Sequence, residues 1–460
     1  MISEATTDIV VIGAGPGGLA AAVEAARTGR RVMLVSEGPL GGRATHASLL
    51  PSKVLLHLAE QHRARKGRTL ASPETVAHIV AEIEGTADHQ AARARERLED
   101  SGVHVVTGLA RFEGPSSMEV EREGKPPLRL SFARAIVATG SVPWFPPGFF
   151  GDAPGPDGET IFAPRFVRRL RSLPEEMLVV GAGVTGAEAV HAFSALGVRV
   201  TWLIDDLGIL PRFDRELASS LGDVLMERGV KIVHGKAVLS VTRDASQGAL
   251  AKLDGGRTYA APRAFVAVGR RPDVARLRPE AAGLAVDPRT GGLTVDPVGR
   301  TSTPTIYAVG DAAGAPFTAT KARAEAWVAA RHATDQAVEP PVRAAWIEAV
   351  YTAPEIARVG VTPEEAMRRG KPFEIRSASF ESGLRGVLEG CGVDPHARGL
   401  LKVVLSDDET VEGAIAIGPR ASDVLAPIAT AIHLGVRAPA LRGLFLASPT
   451  LPELALDALR

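Results

Sequence analysis

The sequence contains a single cysteine, Cys391, among its 460 residues. One thiol cannot form a disulfide within the chain, and it cannot supply the several thiolates of a metal cluster. No two histidines show the H-x-x-x-H spacing of a helical metal site, so we predict no metal. Basic and acidic side chains number 53 each and cancel, which removes the electrostatic argument for binding nucleic acid or an anionic membrane surface.

Long apolar runs are also missing from the sequence. No window approaches the ~18–20 consecutive apolar residues that a membrane-spanning helix requires. The first residues, MISEATTD, carry two acids and no basic residue, unlike the start of a secretory signal peptide. We therefore expect a cytoplasmic protein with no membrane or nucleic-acid partner.

Two glycine-rich motifs stand out in a chain that is too long for one ordinary core. The first follows an apolar run, residues 9–12, and reads Gly13-x-Gly15-x-x-Gly18 before an alanine-rich helix. This strand–turn–helix context is typical of a dinucleotide-binding fold. Gly13 permits the tight turn, Gly15 lets a pyrophosphate approach the backbone, and Gly18 allows helix and strand to pack closely.

An acidic residue that binds the ribose hydroxyls is expected about 20 residues beyond such a motif. The second apolar run, residues 32–35, is followed by Ser36 and then Glu37. We assign the ribose to Glu37, which lies one residue off the usual register.

The second motif reads Gly181-x-Gly183-x-x-Gly186, again after an apolar run and before a helix. The next apolar run, residues 198–204, leads directly into Asp205. The motif therefore predicts a second dinucleotide site, with Asp205 in the ribose-binding position.

The residues after this second motif favour NADH over NADPH. Asp205 and Asp206 are both acidic, and no lysine or arginine lies between residues 201 and 211. A 2′-phosphate would meet two carboxylates there, although Arg199 or Arg212 could reach in from the flanks. NADP(H) therefore stays open as the alternative nucleotide.

Two dinucleotide folds in one chain are most simply explained by an oxidoreductase in which a nicotinamide nucleotide reduces a flavin. Further short strings occur in a fixed order: Ala138-Thr139-Gly140, Val268-Gly269-Arg270-Arg271-Pro272-Asp273, Tyr307-Ala308-Val309-Gly310-Asp311 and Val350-Tyr351-Thr352-Ala353-Pro354-Glu355-Ile356-Ala357. With these strings, nearly the whole chain resembles the FAD- and NAD(P)-dependent pyridine nucleotide–disulfide oxidoreductases.

The resemblance implies an α/β fold with two Rossmann-like dinucleotide-binding domains and a C-terminal α+β dimerisation domain. The FAD domain would be discontinuous, with residues 1–148 and 271–335, and the NAD(P) domain would lie between them at 149–270. Residues 340–460 would form the interface of a homodimer. The implied FAD-binding residues are those of the first motif with Glu37, Gly42, Lys53, Thr139, Gly140, Gly310 and Asp311, whose carboxylate would hold the ribityl chain. Gly269, at the exit from the NAD(P) domain, is a further implied cofactor-binding residue.

A lysine beside flavin N5, paired with a glutamate, is the part of the family's hydride-transfer site that this sequence retains. Lys53, in Pro51-Ser52-Lys53, and Glu188, just after the second glycine motif, occupy these positions. A positive charge near N5 favours the reduced flavin, which is what a hydride acceptor needs.

The family's redox dithiol is missing from this sequence. Between Gly41-Gly42 and Pro51-Ser52-Lys53 the two cysteine positions are Ala44 and Leu49. The C-terminal histidine that serves those thiols is replaced by Ser448, although Glu453 is kept. Without a thiolate, electrons cannot pass from a flavin to a disulfide.

We therefore predict an NADH-dependent flavoprotein that reduces a quinone or another small oxidant, and not a disulfide reductase. The first alternative is a soluble transhydrogenase, because Thr45-His46 resembles those enzymes and makes His46 a candidate acceptor contact. The pair Asp205 and Asp206 opposes this alternative, since a transhydrogenase must accept a 2′-phosphate. A second alternative is a non-catalytic flavin-binding or regulatory protein, against which the retained Lys53 and Glu188 argue.

Overall fold

The computed structural model describes residues 3–393 and 399–460. Its β-strands, in chain order, are β1 Ser3–Ile12, β2 Val32–Ser36, β3 His104–Thr107, β4 Leu109–Gly114, β5 Ser117–Glu121, β6 Leu128–Val137, β7 Ser141–Pro143, β8 Ile161–Phe162, β9 Glu176–Val180, β10 Arg199–Leu203, β11 Lys231–Val233, β12 Val238–Asp244, β13 Gly248–Leu253, β14 Thr258–Ala261, β15 Arg263–Val266, β16 Arg270–Pro272, β17 Ile306–Ala308, β18 Glu348–Val350, β19 Glu355–Gly360, β20 Phe373–Ser379, β21 Leu400–Ser406 and β22 Val411–Gly418.

The α-helices are α1 Pro16–Ala26, α2 Gly42–His46, α3 Leu49–Lys66, α4 Pro73–Asp100, α5 Val184–Ala195, α6 Arg215–Glu227, α7 Ala319–Ala333, α8 Pro363–Arg369, α9 Leu384–Leu388, α10 Ala421–Val424, α11 Ala426–Leu434, α12 Ala438–Leu441 and α13 Glu453–Asp457. Short 3-10 helices occupy Pro164–Arg169, Ala275–Leu277, Pro279–Ala282, Gly310–Ala313, Arg343–Ala345 and Phe380–Ser382.

The chain divides into two compact units. The first unit contains Met1–Pro51, Val80–Phe145 and Gly269–Pro341. The second contains Ser52–Ile79, Pro146–Val268 and Val342–Arg460. This division is coarser than the three domains expected from the sequence, whose boundaries stay predictions.

The first unit is built on a mixed sheet with the strand order β3-β2-β1-β6-β5-β4, and β17 also pairs with β6. Strands β3, β2, β1, β6 and β17 are parallel, whereas β4 and β5 form an antiparallel meander onto β6. Alternate residues of β1 bury into different cores, as expected of a strand covered on both faces. Ile9 and Val11 pack with α1 and α7, and Val10 and Ile12 pack with the meander.

The second unit contains a parallel sheet with the order β11-β10-β9-β15-β8. Its central strand, β9, leads into the second glycine motif and then into α5. An antiparallel sheet, β12-β13-β14, accompanies it. Each unit therefore holds a set of parallel strands that leads into a glycine motif and a helix, which confirms the predicted α/β class with two Rossmann-like folds.

The C-terminal part of the second unit is an antiparallel sheet with the order β18-β19-β22-β21-β20. One face is covered by α10, α11 and α13, and the shared core includes Val403, Ala416, Ile428 and Leu459. This is the α+β domain that the sequence predicts for residues 340–460. Cys391 lies in the same core and is 1% exposed.

Candidate functional site

The first glycine motif connects β1 to α1 in the first unit. Gly13 has a φ of 105°, and a Cβ atom there would overlap the carbonyl group of Ala138. A Cβ atom on Gly18 would overlap the carbonyl of Gly13. Gly15, in contrast, begins α1, and within residues 3–393 and 399–460 nothing lies within 4 Å of its Cβ position and no side chain caps the helix. The first-turn N–H groups are therefore left for an anionic ligand such as a pyrophosphate.

The loop that carries Gly42 packs against this turn. The N–H of Gly41 donates to the carbonyl of Ala14 at 2.9 Å. A Cβ atom on Gly42 would lie 2.9 Å from the Cα atom of Gly15. Any larger residue at position 42 would push the loop away from the motif.

Thr139 lies beside the same turn, close to Gly13. Its hydroxyl oxygen is buried and has no hydrogen-bond partner among the described residues. An orphaned buried hydroxyl is unusual in a folded protein and is accounted for when a ligand supplies the partner. Glycine geometry and this hydroxyl therefore fit a bound dinucleotide in the first unit.

Asp311 is held by a network of polar contacts in the first unit. Its carboxylate accepts a short hydrogen bond from the hydroxyl of Ser141. Arg270 donates to the Ser141 hydroxyl at 2.9 Å and to its carbonyl at 3.0 Å. Arg43 reaches the same carbonyl at 3.3 Å and pairs with Asp273. The network fixes the carboxylate predicted to bind the ribityl chain.

Gly140 and Gly269 take part in the backbone of this region. The carbonyl of Gly140 accepts from the N–H of Asp273 at 3.0 Å, and that of Gly269 accepts from the N–H of Trp144 at 3.0 Å. These bonds lie at the two ends of the antiparallel pairing between β7 and β16.

Glu37 directly follows β2, and its carboxylate pairs with Arg276 through two hydrogen bonds of 2.7 and 2.8 Å. The hydrogen bond from Arg276 lowers the pKa of Glu37, and burial opposes it. Glu37 is therefore held ionised at the end of β2, where a ribose-binding acid is expected. No sequence pattern pointed to Arg276, which is close to Glu37 only because of the fold.

Lys321 and Glu325 form a buried ion pair that sequence reasoning missed. They are one turn apart on α7, 3.0 Å between Nζ and Oε2, and their side chains are 2% and 7% exposed. Lys321 donates to the carbonyls of Gly310 and Gly314, and Glu325 accepts from the N–H of Gly310 at 2.9 Å. The pair thus holds the loop that carries Asp311. In the sequence, the pair is visible as a K-x-x-x-E spacing that follows the string Tyr307-Ala308-Val309-Gly310-Asp311.

The second glycine motif, in the second unit, repeats the geometry of the first. Gly181 has a φ of 112°, and a Cβ atom there would overlap the carbonyl of Ala267. A Cβ atom on Gly186 would overlap the carbonyl of Gly181. Gly183 begins α5, and in the described part of the chain no atom lies within 4 Å of its Cβ position and no side chain caps the helix. The same cradle for a pyrophosphate is therefore present twice.

Asp205 and Asp206 follow β10, at the end of the strand where the ribose is expected. Asp205 accepts a hydrogen bond from the N–H of Leu207 at 3.1 Å, which closes a tight turn. Asp206 is exposed. Both carboxylates therefore remain at the predicted ribose position.

The flanking arginines already have acidic partners. Arg199 pairs with Glu176 at 2.9 Å and with Glu175 at 3.2 Å. Arg212 pairs with Glu348 at 3.1 Å. Binding a 2′-phosphate through either arginine would require these ion pairs to be broken.

Lys53 and Glu188 are brought together within the second unit, by α3 and α5. The Lys53 ammonium lies 2.7 and 2.8 Å from the two carboxylate oxygens of Glu188. The Glu188 side chain is 6% exposed and that of Lys53 is 29% exposed. The two hydrogen bonds to the buried carboxylate hold the ammonium at one place.

Tyr351, at the end of β18, contacts both members of the pair. Its N–H donates to Glu188 Oε1 at 3.1 Å, and the Lys53 Nζ atom lies 4.7 Å from the centroid of its ring. Burial raises the pKa of the Tyr351 phenol, and the carboxylates of Glu355 and Glu188 raise it further. The phenol is therefore neutral near pH 7.

A second contact joins the same two helices. His191, on α5, lies 3.5 Å from Glu60 on α3, measured from Nε2 to Oε2. His191 is fully buried, and its Nδ1 atom has no hydrogen-bond partner among the described residues. Burial lowers the pKa of His191 to about 4, although the charge of Glu60 opposes this effect. The imidazole is therefore neutral near pH 7.

The two positions that the sequence resemblance assigns to a dithiol lie in α2 and at the start of α3. Ala44 is in α2, and Leu49 begins α3 with 40% of its surface exposed. His46, the last residue of α2, uses Nε2 to contact the carbonyl of Leu40 at 3.0 Å. One ring nitrogen of His46 is therefore used in a contact with the nearby backbone.

Ser448 borders a cavity of about 170 Å³ within the C-terminal domain. The cavity is bounded by the 3-10 helix Phe380–Ser382 and by α9 on one side, and by the C-terminal segment on the other. Glu453 accepts from the N–H of Thr450 at 2.7 Å and so holds the backbone of this segment. The retained glutamate thus has a structural contact that needs no imidazole.

Residues 3–393 and 399–460 contain neither a clustered metal site nor a membrane-spanning helix. These residues contain no group of three or more histidine, cysteine, aspartate or glutamate side chains able to hold a metal ion. None of their helices is both long and apolar enough to cross a membrane.

The order of these sites matches a known family. Residues 7–330 match the family described as pyridine nucleotide-disulphide oxidoreductase, and residues 347–458 match the dimerisation domain of that family. The chain belongs to this family. Its members are NAD(P)H-dependent flavoproteins that bind FAD and NAD(P), and a homodimer fits the dimerisation domain.

Individual relatives agree with this assignment over the full length. The chain is 34% identical to dihydrolipoyl dehydrogenase 2 of Haloarcula marismortui, over 97% of this chain and 94% of that protein. It is also 34% identical to dihydrolipoyl dehydrogenase of Thermus scotoductus, over 98% of this chain and 96% of that protein. The crystal structure of LpdA from Mycobacterium tuberculosis superposes with a TM-score of 0.90, at 28% identity, over 98% of this chain and 99% of that one.

Proposed function

We propose that this flavoprotein takes hydride from NADH onto FAD and passes the electrons to a quinone or another small oxidant, without a redox disulfide. The observation that carries the proposal is the combination of an intact Lys53–Glu188 pair with Ala44 and Leu49 at the dithiol positions. The nucleotide half of the family's chemistry keeps its residues, whereas the thiol half does not.

The residues proposed to hold FAD are those of the first unit, and their geometry supports the cofactor. Gly15 leaves room for a pyrophosphate, the buried Thr139 hydroxyl has no partner among the residues that the structure describes, and Asp311 is fixed by Ser141. Bound FAD would supply the two-electron carrier that no amino-acid side chain provides.

Lys53 is proposed to stabilise the negative charge that develops during hydride transfer. Glu188 accepts two of its hydrogen bonds and so keeps the ammonium in one orientation before the reaction begins. Preorganised charge of this kind needs no reorganisation when the hydride moves, which is why it lowers the barrier. The place of this pair beside flavin N5 is inferred from the family resemblance.

The acceptor is proposed to be planar and largely apolar. Leu49 presents an exposed apolar side chain where the family has a thiolate, and Ala44 adds no polar group. An apolar surface of this kind suits a ring that stacks on the flavin, such as a quinone.

NADH is proposed as the preferred donor. Asp205 and Asp206 would repel a 2′-phosphate, and the nearby Arg199 and Arg212 are held by glutamates. The transhydrogenase alternative requires that phosphate to bind and is less well supported for this reason. A cytoplasmic location stays a prediction.

The first experiment follows the absorbance of the bound flavin while NADH, and then NADPH, is added without oxygen. We expect bleaching with one equivalent of NADH, faster than with NADPH, and no thiolate-to-flavin charge-transfer band. Reoxidation by a series of soluble quinones then identifies the acceptor class. A transhydrogenase would instead be bleached by NADPH and reoxidised by NAD⁺.

Variants of the ion pair test the role of the lysine. Lys53→Met is expected to slow flavin reduction by NADH about a hundredfold, in the range seen when one preorganised charge is removed from an active site. The control is Lys402→Met, because Lys402 also pairs with a glutamate, Glu216 at 2.6 Å, away from the site. If NADH does not bleach the wild-type flavin on a timescale of minutes, the proposed enzyme is excluded and a binding role gains support.

A further inference from the structure

The Lys53 ammonium is surrounded by more than its carboxylate partner. An ammonium has three N–H donors, and the two oxygens of Glu188 at 2.7 and 2.8 Å account for one side of it. The ring of Tyr351 lies over another side, with its centroid 4.7 Å from Nζ. This distance is within the range of about 6 Å in which a cation is attracted to an aromatic face.

Tyr351 acts on Glu188 as well as on Lys53. Its backbone N–H donates to Glu188 Oε1 at 3.1 Å, the same oxygen that accepts the 2.7 Å bond from Lys53. One residue therefore restrains both the cation and the anion of the pair. The contacts to Glu188 and Lys53 all lie within the second unit.

The segment that carries Tyr351 belongs to the dimerisation domain and is well anchored. The preceding residue, Val350, pairs with Ile356 in the sheet. The Thr352 hydroxyl donates to the carbonyl of Pro354 at 2.6 Å, and Arg228 donates to the carbonyl of Ala353. The ring of Tyr351 is thus presented from a fixed backbone, although 42% of the residue is exposed.

We infer that Tyr351 is a positioning residue, through which the dimerisation domain fixes the Lys53 ammonium and the Glu188 carboxylate for hydride transfer. An aromatic face suits this task because it attracts the ammonium without carrying a net charge. A second carboxylate would hold Lys53 as firmly but would make the site anionic. The ring therefore restrains the cation and leaves its charge available.

The inference rests on the proposed function, because it assumes that Lys53 stabilises the reduced flavin. Its test needs no nucleotide, however. The midpoint potential of the bound flavin is measured by anaerobic titration with dithionite against a reference dye. If the proposed NADH activity fails, this measurement still reports whether Tyr351 controls the charge near the flavin.

Tyr351→Leu removes the ring and keeps the backbone N–H. We expect the midpoint potential of the flavin to fall by about 30 mV. For a two-electron couple, this fall corresponds to about a tenfold change in the ratio of the oxidised and reduced forms. We expect the rate of reduction by NADH to fall about tenfold as well. The KM for NADH should change less than twofold, because the glycine motif that binds the nucleotide is untouched. Tyr351→Phe, which keeps the ring, should stay within about twofold of wild type in every measurement.

Tyr259→Leu is the matched control. Tyr259 also lies in the second unit, and its ring faces a lysine, Lys231, at 5.6 Å. We expect its potential and rates to equal those of wild type. If the midpoint potential of Tyr351→Leu equals that of this control, the inference is overturned, and the ring contributes only packing.

A fluorinated ring gives a second test if Tyr351→Leu does not retain FAD. Trifluorophenylalanine at position 351 keeps the shape of phenylalanine but removes most of the negative charge on the ring face. We expect it to reproduce the lower potential, whereas phenylalanine does not. Equal potentials for the two rings would contradict the attraction between Tyr351 and Lys53.

Discussion

His191 lies with Nε2 3.5 Å from the Glu60 carboxylate, on the same two helices that join Lys53 to Glu188. Along α5 it follows Glu188 by one turn, and along α3 its partner follows Lys53 by two turns. The two pairs therefore hold α3 against α5 at two points. The Lys53–Glu188 pair is ionic, whereas the His191–Glu60 pair contains a neutral, fully buried imidazole.

The buried histidine predicts acid sensitivity. Its pKa is lowered from 6.5 in the unfolded chain to about 4 by burial, so within this pH window unfolding takes up a proton. Stability from this residue is therefore complete above pH 6.5 and is lost as the pH falls toward 4. The loss amounts to about 3 kcal/mol of the free energy of unfolding. His191→Gln should lose less stability than wild type over this window, measured by urea denaturation at several pH values.

His78→Gln is the control for this prediction, because His78 is exposed and should show the pH profile of wild type. Glu60, Arg63 and Arg228 also act on His191, and none of them is changed in either variant. Parallel pH profiles for wild type and His191→Gln would contradict the prediction.

The buried Lys321–Glu325 pair predicts a large loss of stability when one partner is removed. Lys321→Met leaves the Glu325 carboxylate buried without its cation, which costs about 3–5 kcal/mol in the free energy of unfolding. The double variant Lys321→Met/Glu325→Gln should lose less than Lys321→Met alone. Chemical denaturation of the apoprotein measures both.

Arg300→Met removes one partner of an exposed pair with the same spacing and serves as the control. Arg300 and Asp296 are 47% and 31% exposed, so the expected loss is within about 1 kcal/mol. A loss for Lys321→Met no larger than that of Arg300→Met would show that the buried pair is not needed.

Leu49→Arg tests the apolar acceptor surface. A guanidinium at this exposed position should repel an apolar ring, and we expect kcat/KM for a soluble quinone to fall about tenfold or more. The rate of flavin reduction by NADH, measured by stopped flow without quinone, should change much less. Leu239→Arg, at an exposed leucine of β12, controls for the added charge. Unchanged quinone turnover in Leu49→Arg would move the acceptor to another surface.

The acidic pair after β10 predicts how the nucleotide preference can be reversed. Asp205→Ser with Asp206→Arg removes two negative charges and adds a donor for the 2′-phosphate. We expect kcat/KM for NADPH to rise about tenfold or more, in line with one charge-assisted hydrogen bond, and that for NADH to fall. Asp254→Arg, in an exposed turn, is the control. A double variant that still prefers NADH to the same degree as wild type would locate the selectivity elsewhere.

Local sequence patterns predicted the nucleotide-binding folds well, because their signals lie within short segments. Gly13 and Gly181 each follow an apolar strand, and both adopt the positive φ that their motif requires. Strand lengths were harder to predict. The first strand was expected at residues 9–12 and extends back to Ser3, because residues of β1 before Ile9 pair with β6 from Leu128 onward. Such long-range pairing leaves no local trace in a polar segment.

In the candidate site, distant residues such as Lys53 and Glu188 could be predicted to meet only from their match to motifs of the family. Lys53 and Glu188 are 135 positions apart, and no periodicity connects them. The contacts of Tyr351 and the burial of His191 were not foreseen, since both depend on which helix faces α5. Nearly every residue of α5 is buried, so a histidine there is enclosed regardless of its polarity.

Because Cys391 is buried, the rate at which its thiol reacts with a reagent reports local opening of the protein. A thiol in the core of the dimerisation domain, 1% exposed, reacts with a disulfide reagent only after that domain opens around it. Because it is the only thiol in the sequence, the colour released in such a reaction comes from one known position. The labelling rate, compared between free protein and protein with FAD and NADH, therefore measures how far ligands that bind elsewhere stabilise the dimerisation domain.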